Sequence, residues 1–523
     1  MLLSCAAASL ASALWSWQHG AMLNYGDAVA HLHIARRVID SRHPGLSELG
    51  SVWLPLPHLL LIPFVAVFSW WANGLAGFFA SSLAWLAACA GLYRLARNWL
   101  SPLAASVMLA FFVTNPNLLY IQTTAMSEPL FLCEMIWASV FMVEWRASLD
   151  AESTPPHSSG RHLYSIALVL VAAIFTRYDG WVLACFAFLS IGFVLARRHR
   201  LRTPHFWLAG LIIAAAPIIW FSYNGLIFGD WLDFLRGPYS AKAIELRTAS
   251  PGGPPHPGWH NPWVSLLFFV KAAETDAAAA AWQNTLLLLS LFATAFAAVI
   301  ERRRAFAWTL WLWLPMPFYA YSVAYGSVPI FLPVWWPHSW YNTRYGLELL
   351  PAFALGVGLL AHFALTAAHQ FKPPLTRYAA TILFALIAIN AALMVHEWPP
   401  VYVEGVKNIE SRRAYEIEIP PVMRTLLATR PNAAVLMNTS VYPQLVAFSG
   451  IPLRQTINET DQDIYQAALA APADHAAIIL AFQGDEVDQA VHAHPRGLSP
   501  IQRFQAKDLP PATIYVSDTS PTP

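Results

Sequence analysis

Charged residues are scarce in this sequence. They make up 12% of its 523 residues, whereas soluble domains carry about 25%. Hydrophobic residues reach 57% and aromatic residues 14%, and the mean hydropathy is +0.45. Water therefore cannot be the solvent for most of the chain, and a wholly soluble protein is excluded.

Cysteine is also rare. The four cysteines lie inside apolar runs and form no CxxC pair: Cys5, Cys89, Cys133 and Cys185. No disulfide framework or thiolate metal site is indicated. Glycine-rich phosphate loops and nucleophile elbows are absent, which excludes soluble nucleotide-using and hydrolase chemistry. The net charge of +1 gives no support for a nucleic-acid partner, because the basic residues fall in short clusters between apolar runs.

Apolar runs recur through the first three quarters of the chain. Each is about 17 to 25 residues long, enough to cross a hydrocarbon core of about 30 Å. They are predicted to be helices, because a lone strand in lipid would leave its amides unsatisfied. We predict about eleven crossings, at 2–18, 75–93, 103–121, 129–145, 163–177, 180–196, 206–228, 284–300, 306–325, 347–366 and 377–396. The predicted fold class is an α-helical polytopic membrane protein.

Basic residues between the spans set the predicted orientation. With these spans, five clusters fall on one side of the bilayer: Arg94/Arg97, Arg146/Arg161, the run at 196–202, ERRR at 301–304, and Lys372/Arg377. The positive-inside rule makes that side cytoplasmic. The protein is therefore predicted to be a multi-pass protein of the cell (inner) membrane, with its amino terminus inside and its tail outside.

The segment WLPLPHLLLIPFVAVFSWW at 53–71 is apolar but contains three prolines and ends in paired tryptophans. If it crossed the bilayer, the charge pattern of the next loops would invert. We interpret it as interfacial or re-entrant, with the tryptophans at headgroup level.

The tail changes character after residue 396. AAVLMNT and HAAIILAF are typical of buried strands, whereas DQDIYQAAL and DEVDQAVHAH are typical of helices, up to a further strand in ATIYVSD. We predict a transmembrane domain at 1–396, with amphipathic helices in the first outer loop (19–74), and a small extracytoplasmic α/β domain at 397–523.

The first outer loop contains an amphipathic helix that begins near Asp27. Its predicted apolar face has Ala28, Leu32, Ala35 and Ile39, and its polar face has His33, Arg37 and Asp40. At the start of the helix the backbone dipole favours a carboxylate. Asp27 is therefore a candidate functional acid, and the alternative is a simple helix cap.

Two further acidic positions lie between apolar runs. Glu128, in TTAMSEPLFL, stands just before Pro129, and an ionisable residue at such a depth is a candidate for function. The alternative is a first-turn acid that complements the helix dipole. In TRYDGW, Arg177 and Asp179 are most simply interpreted as a pair at the tip of a helix hairpin.

The segment WPHSWYNTRYGLELLP at 336–351 places Arg344 among aromatic residues just before a span. An arginine there can bind phosphate oxygens with its planar guanidinium while rings stack on a sugar or lie along a lipid. Interfacial anchoring explains the aromatic residues but not Arg344 beside Asn342. His58 is a weaker candidate for the same role.

At these residues the chain resembles the GT-C superfamily of membrane glycosyltransferases, in particular the branch with the protein O-mannosyltransferases and the aminoarabinose transferase of lipid A. The resemblance rests on GDAVAHLHIAR, WLPLPH, SEPLF and NTRYGLELLP, in that order, and covers roughly residues 15–360. Members use a lipid-linked sugar, usually on polyprenyl phosphate, at the outer face of the membrane.

The resemblance implies a role for several residues. Asp27 would be the general base, Glu128 a second acid in the acceptor cavity, and Arg344 a phosphate contact. His58 stands where a cationic residue is expected after the proline-rich stretch, and Arg177 is a further phosphate candidate. We predict substrate contacts from a third group: His31, Trp53, Asp179, Tyr341, Asn342 and Tyr345.

The expected reaction is an inverting transfer from a polyprenyl-phosphate sugar to a hydroxyl of a glycan, lipid or protein. A carboxylate takes the proton of the attacking hydroxyl, and an arginine stabilises the phosphate leaving group. A single displacement needs no second carboxylate as nucleophile. We expect no required cofactor. Some members of the superfamily hold a divalent metal between acidic residues, but the first loop here has no DxD or ExD pair, so a catalytic metal is the less favoured alternative.

Two other functions fit the same composition. A transporter or flippase for a lipid-linked or amphipathic solute would use intramembrane charges along its path, but inverted repeats and midplane charges are not evident in the sequence. A noncatalytic scaffold of an envelope assembly would use the tail as a binding module.

Overall fold

The computed structural model describes residues 1–150, 156–248, 254–300, 306–507 and 509–518. The basic run at 301–304, one of the predicted topology signals, lies outside the described residues.

The described chain is mostly helical. Its α-helices are Leu2–Gln18, Gly26–Asp40, Leu56–Val65, Phe68–Asn73, Leu75–Ala96, Pro102–Val113, Pro116–Ile121, Glu128–Asp150, Pro156–Thr176, Asp179–Arg197, Pro204–Ile227, Asp233–Arg236, Ala241–Thr248, Pro262–Ala277, Gln283–Ile300, Pro315–Tyr325, Leu350–Phe371, Leu375–His396, Pro400–Glu410, Arg413–Thr429, Gln444–Phe448, Gln462–Ala470, Pro472–His475 and Glu486–Ala493. Its 3₁₀ helices are Ala21–Leu23, Leu46–Leu49, Phe306–Trp313, Thr343–Leu349 and Leu453–Gln455.

Five helical stretches of the described chain are long and apolar enough to cross a membrane: Leu75–Ala96, Asp179–Arg197, Pro204–Ile227, Thr343–Phe371 and Leu375–Glu410. Together with the shorter apolar helices, they make the chain a multi-pass helical membrane protein, as its composition predicted. The figure of about eleven crossings stays a prediction.

Two predicted spans are not single helices. The stretch predicted at 103–121 is broken between Pro102–Val113 and Pro116–Ile121, where Asn115 accepts the Leu118 N–H and caps the second helix. The stretch predicted at 306–325 is a 3₁₀ helix followed by Pro315–Tyr325. In both places a proline begins the second element, because it lacks the N–H that a continuous helix needs.

The segment predicted to be interfacial, 53–71, contains the helices Leu56–Val65 and Phe68–Asn73. Ten helical residues span only about 15 Å, half of the thickness of a hydrocarbon core. This geometry fits a segment that does not cross. In the described part of the segment between residues 229 and 282, the helices are Asp233–Arg236, Ala241–Thr248 and Pro262–Ala277.

The chain divides into two compact units. One comprises residues 1–19, 51–57 and 78–404, and the other comprises residues 20–50, 58–77 and 405–523. We call them the helical unit and the loop–tail unit. The domain boundary predicted at 396/397 stays a prediction.

Small residues allow close helix packing in the helical unit. Leu350–Phe371 packs on Pro102–Val113 and on Gln283–Ile300. A methyl group added at Gly356 would come within 2.4 Å of Ser290 Cβ. Backbones that approach this closely gain van der Waals contact, the main attraction between helices in lipid.

The loop–tail unit contains a five-stranded sheet. Its strands are β1 (Val435–Met437), β2 (Thr456–Ile457), β3 (Ile478–Phe482), β4 (Leu498–Phe504) and β5 (Ala512–Ser517), in the order β2-β1-β3-β5-β4. β1 is parallel to β2 and β3, whereas β5 is antiparallel to β3 and β4. The predicted α/β tail is confirmed for β1, β3 and β5 and for the helices Gln462–Ala470 and Glu486–Ala493.

The first-loop helix Gly26–Asp40 is present, but its predicted polar face is wrong. His33 and Asp40 are buried, whereas Ile39 is 41% exposed. Asp40 accepts from Arg36 at 2.7 Å and from Arg454 at 2.7 Å, so the carboxylate is buried with two charged partners. Helical periodicity could not reveal the second partner, which lies 414 residues away in sequence.

Candidate functional site

Glu128 begins the helix Glu128–Asp150 and is only 1% exposed. Its Oε1 accepts from Arg344 Nε at 3.0 Å and lies 3.5 Å from Arg177 Nη1. Both guanidiniums therefore meet one carboxylate oxygen. The acid predicted from SEPLF is a buried charged partner and not only a complement to the helix dipole.

Arg177 lies at the tip between the helices Pro156–Thr176 and Asp179–Arg197. Its Nε donates to Asp179 Oδ2 at 3.1 Å, so the predicted pair is present. Its Nη2 also lies 3.3 Å from Glu348 Oε1, and its Nη1 lies 3.2 Å from Ser127 Oγ. Arg177 thus contacts Glu128 and Asp179, which begin two helices, and also Glu348. Its contacts extend beyond the predicted pair with Asp179.

Tyr319 connects two acids that also contact Arg177, namely Asp179 and Glu348. Its hydroxyl lies 2.7 Å from Glu348 Oε1 and 3.1 Å from Asp179 Oδ2, and it accepts from Arg177 Nη2 at 3.0 Å. A hydroxyl has one proton, so it donates to one of these two carboxyl groups at a time.

Glu404, in the helix Pro400–Glu410, holds the segment that carries Arg344. Its Oε1 accepts from Arg344 Nη1 at 2.8 Å and from the Asn342 N–H at 3.0 Å. Its Oε2 accepts from the N–H of Thr343 at 2.8 Å. The Glu404 carboxylate therefore binds both the backbone N–H groups of this segment and the guanidinium of Arg344. These bonds orient Arg344 toward Glu128.

We call these seven residues the carboxylate–arginine cluster: Glu128, Arg177, Asp179, Tyr319, Arg344, Glu348 and Glu404. Four carboxyl groups face two guanidiniums, so the cluster has more acids than bases. Glu128 Oε2 and Glu348 Oε2 are buried without a hydrogen-bond partner in the described residues. Such an oxygen loses solvation without compensation, and it is the kind of atom that a donating ligand can satisfy.

An aromatic ring covers both guanidiniums. The centroid of Tyr345 lies 5.2 Å from the Cζ atom of Arg177 and 5.2 Å from that of Arg344. Both distances are within the range of cation–π attraction. Tyr345 therefore lies beside the cluster, and its contact with substrate stays a prediction.

The other two predicted residues of this segment shape the loop. Asn342 adopts φ +55°, a left-handed conformation that asparagine tolerates better than most residues, and its Nδ2 donates to the Pro329 carbonyl at 2.9 Å. Tyr341 is 43% exposed and pairs through its backbone with Phe331. The loop is held at both positions, which fixes the direction of the chain into Arg344.

Trp53 is half-buried in the helical unit. The carbonyl of its neighbour Val52 accepts the hydroxyl of Tyr178 at 2.7 Å. Since Tyr178 stands between Arg177 and Asp179 in sequence, this bond ties the Trp53 segment to the hairpin tip.

Three predicted site residues lie in the loop–tail unit. Asp27 is in the first turn of the helix Gly26–Asp40 and is partly buried. His31 and His58 are buried and contact each other, with Nδ1 of His31 2.8 Å from Nε2 of His58. At least one ring is neutral, because this bond requires an unprotonated acceptor nitrogen.

The structure therefore brings together Glu128, Arg177, Asp179 and Arg344 in one unit, and His31 and His58 in the other. Sequence reasoning missed Glu348, Glu404 and Tyr319. Glu348 carried a usable signal, since it is an acid inside the apolar stretch YGLELLP. Nothing in the sequence around Glu404 or Tyr319 distinguishes either residue from an ordinary residue at the membrane interface.

Within the described ranges, no group of three or more His, Cys, Asp or Glu side chains has an arrangement that could hold a metal ion.

The similarity of this chain to known proteins lies in its fold and not in a known sequence family. No protein-family profile matches the sequence, and no curated protein matches it significantly. The crystal structure of ArnT from Cupriavidus metallidurans bound to undecaprenyl phosphate is similar, with a TM-score of 0.60 at 13% identity over 98% of each chain. The apo state of the same ArnT gives 0.58, also at 13% identity over 98% of each chain.

The oligosaccharyltransferase AglB from Archaeoglobus fulgidus, in complex with an inhibitory peptide and a dolichol-phosphate, gives a TM-score of 0.46 at 12% identity, over 91% of this chain and 69% of that chain. The fold is assigned from the ArnT structures alone, which match from end to end. The chain therefore has the fold of ArnT, in agreement with the fold that the resemblance in its sequence implied.

Proposed function

We propose that this protein is an inverting glycosyltransferase that moves a sugar from a polyprenyl-phosphate donor to an acceptor hydroxyl at the extracytoplasmic face of the inner membrane. The observation that carries the proposal is the carboxylate–arginine cluster, in which Glu128 and Asp179 begin helices, in a chain with the fold of ArnT. The similar ArnT structure is bound to undecaprenyl phosphate, which is a polyprenyl phosphate like the leaving group of the proposed reaction.

Of the two arginines predicted to bind phosphate, Arg177 is the one that a phosphate can reach more easily. Its side chain is 14% exposed and its contacts to carboxylates range from 3.1 to 3.5 Å. The Arg344 side chain is 6% exposed, with carboxylate contacts at 2.8 and 3.0 Å. A phosphate can displace the longer and weaker contacts at lower cost, so we assign the first phosphate contact to Arg177 and a supporting contact to Arg344.

Glu128 fits the predicted acceptor side. One oxygen binds both guanidiniums, which fixes the side chain, and Oε2 has no hydrogen-bond partner in the described residues. A hydroxyl of the acceptor other than the attacking one would satisfy this oxygen by donating to Oε2, and the acceptor would be oriented by that bond.

Asp27 is proposed as the general base, an assignment that rests on the residues of the first loop and their resemblance to the superfamily. The acceptor oxygen attacks the anomeric carbon while its proton passes to the Asp27 carboxylate. The bond between that carbon and the phosphate oxygen breaks, and its electron pair leaves on polyprenyl phosphate. The leaving group gains one negative charge, which a fixed guanidinium stabilises.

The test is transfer of labelled sugar from polyprenyl-phosphate donors to an envelope extract, by the purified full-length protein in lipid. We expect a labelled glycoside with wild type and almost none with Asp27→Asn. Mass spectrometry of envelope glycans, lipids and glycoproteins with and without the gene would identify the acceptor class.

Two results would overturn the proposal. Full transfer by Asp27→Asn would remove Asp27 from the base role. Movement of the lipid-linked solute across reconstituted vesicles without formation of a glycosidic bond would favour a flippase instead.

A further inference from the structure

The helix that carries Asp27 begins without a capping side chain of its own. Tyr25 is at its N-cap position and makes no side-chain capping bond. The first turn of any helix leaves backbone N–H groups without helical partners. Here the Gly26 N–H donates to Asn408 Oδ1 at 2.8 Å, so a residue 382 positions later provides an acceptor next to Asp27.

Arg412 holds the residues just before this helix. Its Nη2 donates to the carbonyls of Leu23 at 2.7 Å and Asn24 at 2.9 Å. Its Nη1 donates to Asn408 Oδ1 at 3.1 Å. One planar guanidinium therefore binds the incoming chain and the residue that caps it, with the fixed geometry that lysine lacks.

Arg412 is itself held in place. Its Nε donates to Glu416 Oε1 at 2.8 Å, and both residues are buried. Burial raises the pKa of Glu416, and the neighbouring Arg412 opposes that rise. The side chain is thus restrained at three nitrogens, which leaves it little freedom to follow the first loop.

The fit around Gly26 is tight. A methyl group added there would lie 3.0 Å from Arg412 Nη1 and 3.2 Å from Asn408 Oδ1. Both side chains therefore lie directly on the backbone at the start of the helix, one residue before Asp27.

We infer that Asn408 and Arg412 are positioning residues for Asp27, so that the segment after residue 404 takes part in catalysis by fixing the general base. This inference rests on the proposed function. A general base must come within about 3 Å of the oxygen whose proton it takes, and a misplacement of about 1 Å can cost a factor of about 100 in rate. Loss of the contacts that restrain the first turn of this helix would therefore lower kcat.

The test compares Asn408→Leu with Asn408→Asp in the full-length protein. Leucine removes the acceptor for the Gly26 N–H, whereas aspartate keeps an oxygen in the same place. We expect Asn408→Leu to lower kcat about tenfold to a hundredfold, with the KM for the donor within about twofold of wild type, and Asn408→Asp to recover most of the loss.

Arg424→Ala is the matched control. Arg424 also donates to a backbone carbonyl, at 2.6 Å, but this carbonyl belongs to Phe448 and not to a residue of the first loop. We expect its kcat to equal that of wild type. If Asn408→Leu does not fold, Gly26→Ala and Arg412→Lys replace it, with the same expected loss of kcat.

Two outcomes overturn the inference alone: an unchanged kcat in Asn408→Leu or Gly26→Ala while Asp27→Asn is inactive, or an equal loss in Arg424→Ala. Absence of transfer by wild type, or full transfer by Asp27→Asn in the same assay, would instead overturn the proposed function.

Discussion

Arg344 and Glu404 form a buried ion pair that also organises the backbone. Nη1 of Arg344 lies 2.8 Å from Oε1 of Glu404, and the same carboxylate accepts the N–H groups of Asn342 and Thr343. The pair thus fixes both the arginine side chain and the loop from which it projects.

Removal of Arg344 is expected to destabilise the protein strongly. Arg344→Met would leave Glu128 and Glu404 with fewer charged partners in a buried place, and loss of one partner of a buried pair costs about 3–5 kcal/mol. The measurement is the thermal unfolding temperature of the purified full-length protein. Arg94→Met is the control, since Arg94 pairs with Glu144 at a half-exposed position and should cost about 1 kcal/mol or less.

Equal unfolding temperatures for the two arginine variants would show that the buried network contributes little to stability.

Asp27→Asn is expected to lower kcat by a factor of about 10² to 10⁴, the usual contribution of a general base. The unfolding temperature and the KM for the donor should stay close to wild type, because asparagine fills the same space. Asp463→Asn is the control, since Asp463 is also a first-turn acid of a helix in the same unit and is exposed. A comparable loss of kcat in both variants would remove the special role of Asp27.

Gly346→Ala is expected to abolish transfer and lower the unfolding temperature. Its added methyl carbon would lie 2.5 Å from the backbone of Ala272 and Ala273, which would push the helix Pro262–Ala277 from the segment that carries Arg344. The control is Gly45→Ala, where the nearest atom is Ser47 Oγ at 3.7 Å. A fully active Gly346→Ala would mean that the cluster tolerates displacement of this segment.

The stability of the tail sheet is expected to depend on pH through Asp485. Burial raises the pKa of this carboxyl to about 6 from an ordinary value of 3.8. The folded state therefore binds the proton of Asp485 more tightly than the unfolded state does. This difference stabilises the fold below about pH 4, and the stabilisation is lost as the pH rises to about 6.

Asp485 caps the helix Glu486–Ala493 through the Asp488 N–H, and asparagine can cap it equally well without a charge. We expect the unfolding temperature of wild type, relative to that of Asp485→Asn, to fall between pH 4 and 6.5. A constant difference over this interval would contradict the assigned titration.

Local features of the sequence were sufficient for much of this protein. Apolar runs identified a multi-pass membrane protein because lipid admits only long, internally bonded helices. Alternating strand and helix patterns identified the α/β tail, although β4 escaped because most of its side chains are at least partly exposed. The Arg177–Asp179 pair was predictable because its members are two residues apart.

Tertiary structure alone decided the partners of the buried charges. Arg344 meets Glu128 across 216 residues and Glu404 across 60, and Asn408 meets Gly26 across 382. Hydropathy and helical periodicity describe the surroundings of one segment, whereas an ion pair between distant segments depends on how helices pack. For this reason the sequence indicated which acids and arginines were unusual, and only the packed structure determined which of them hold one another in place.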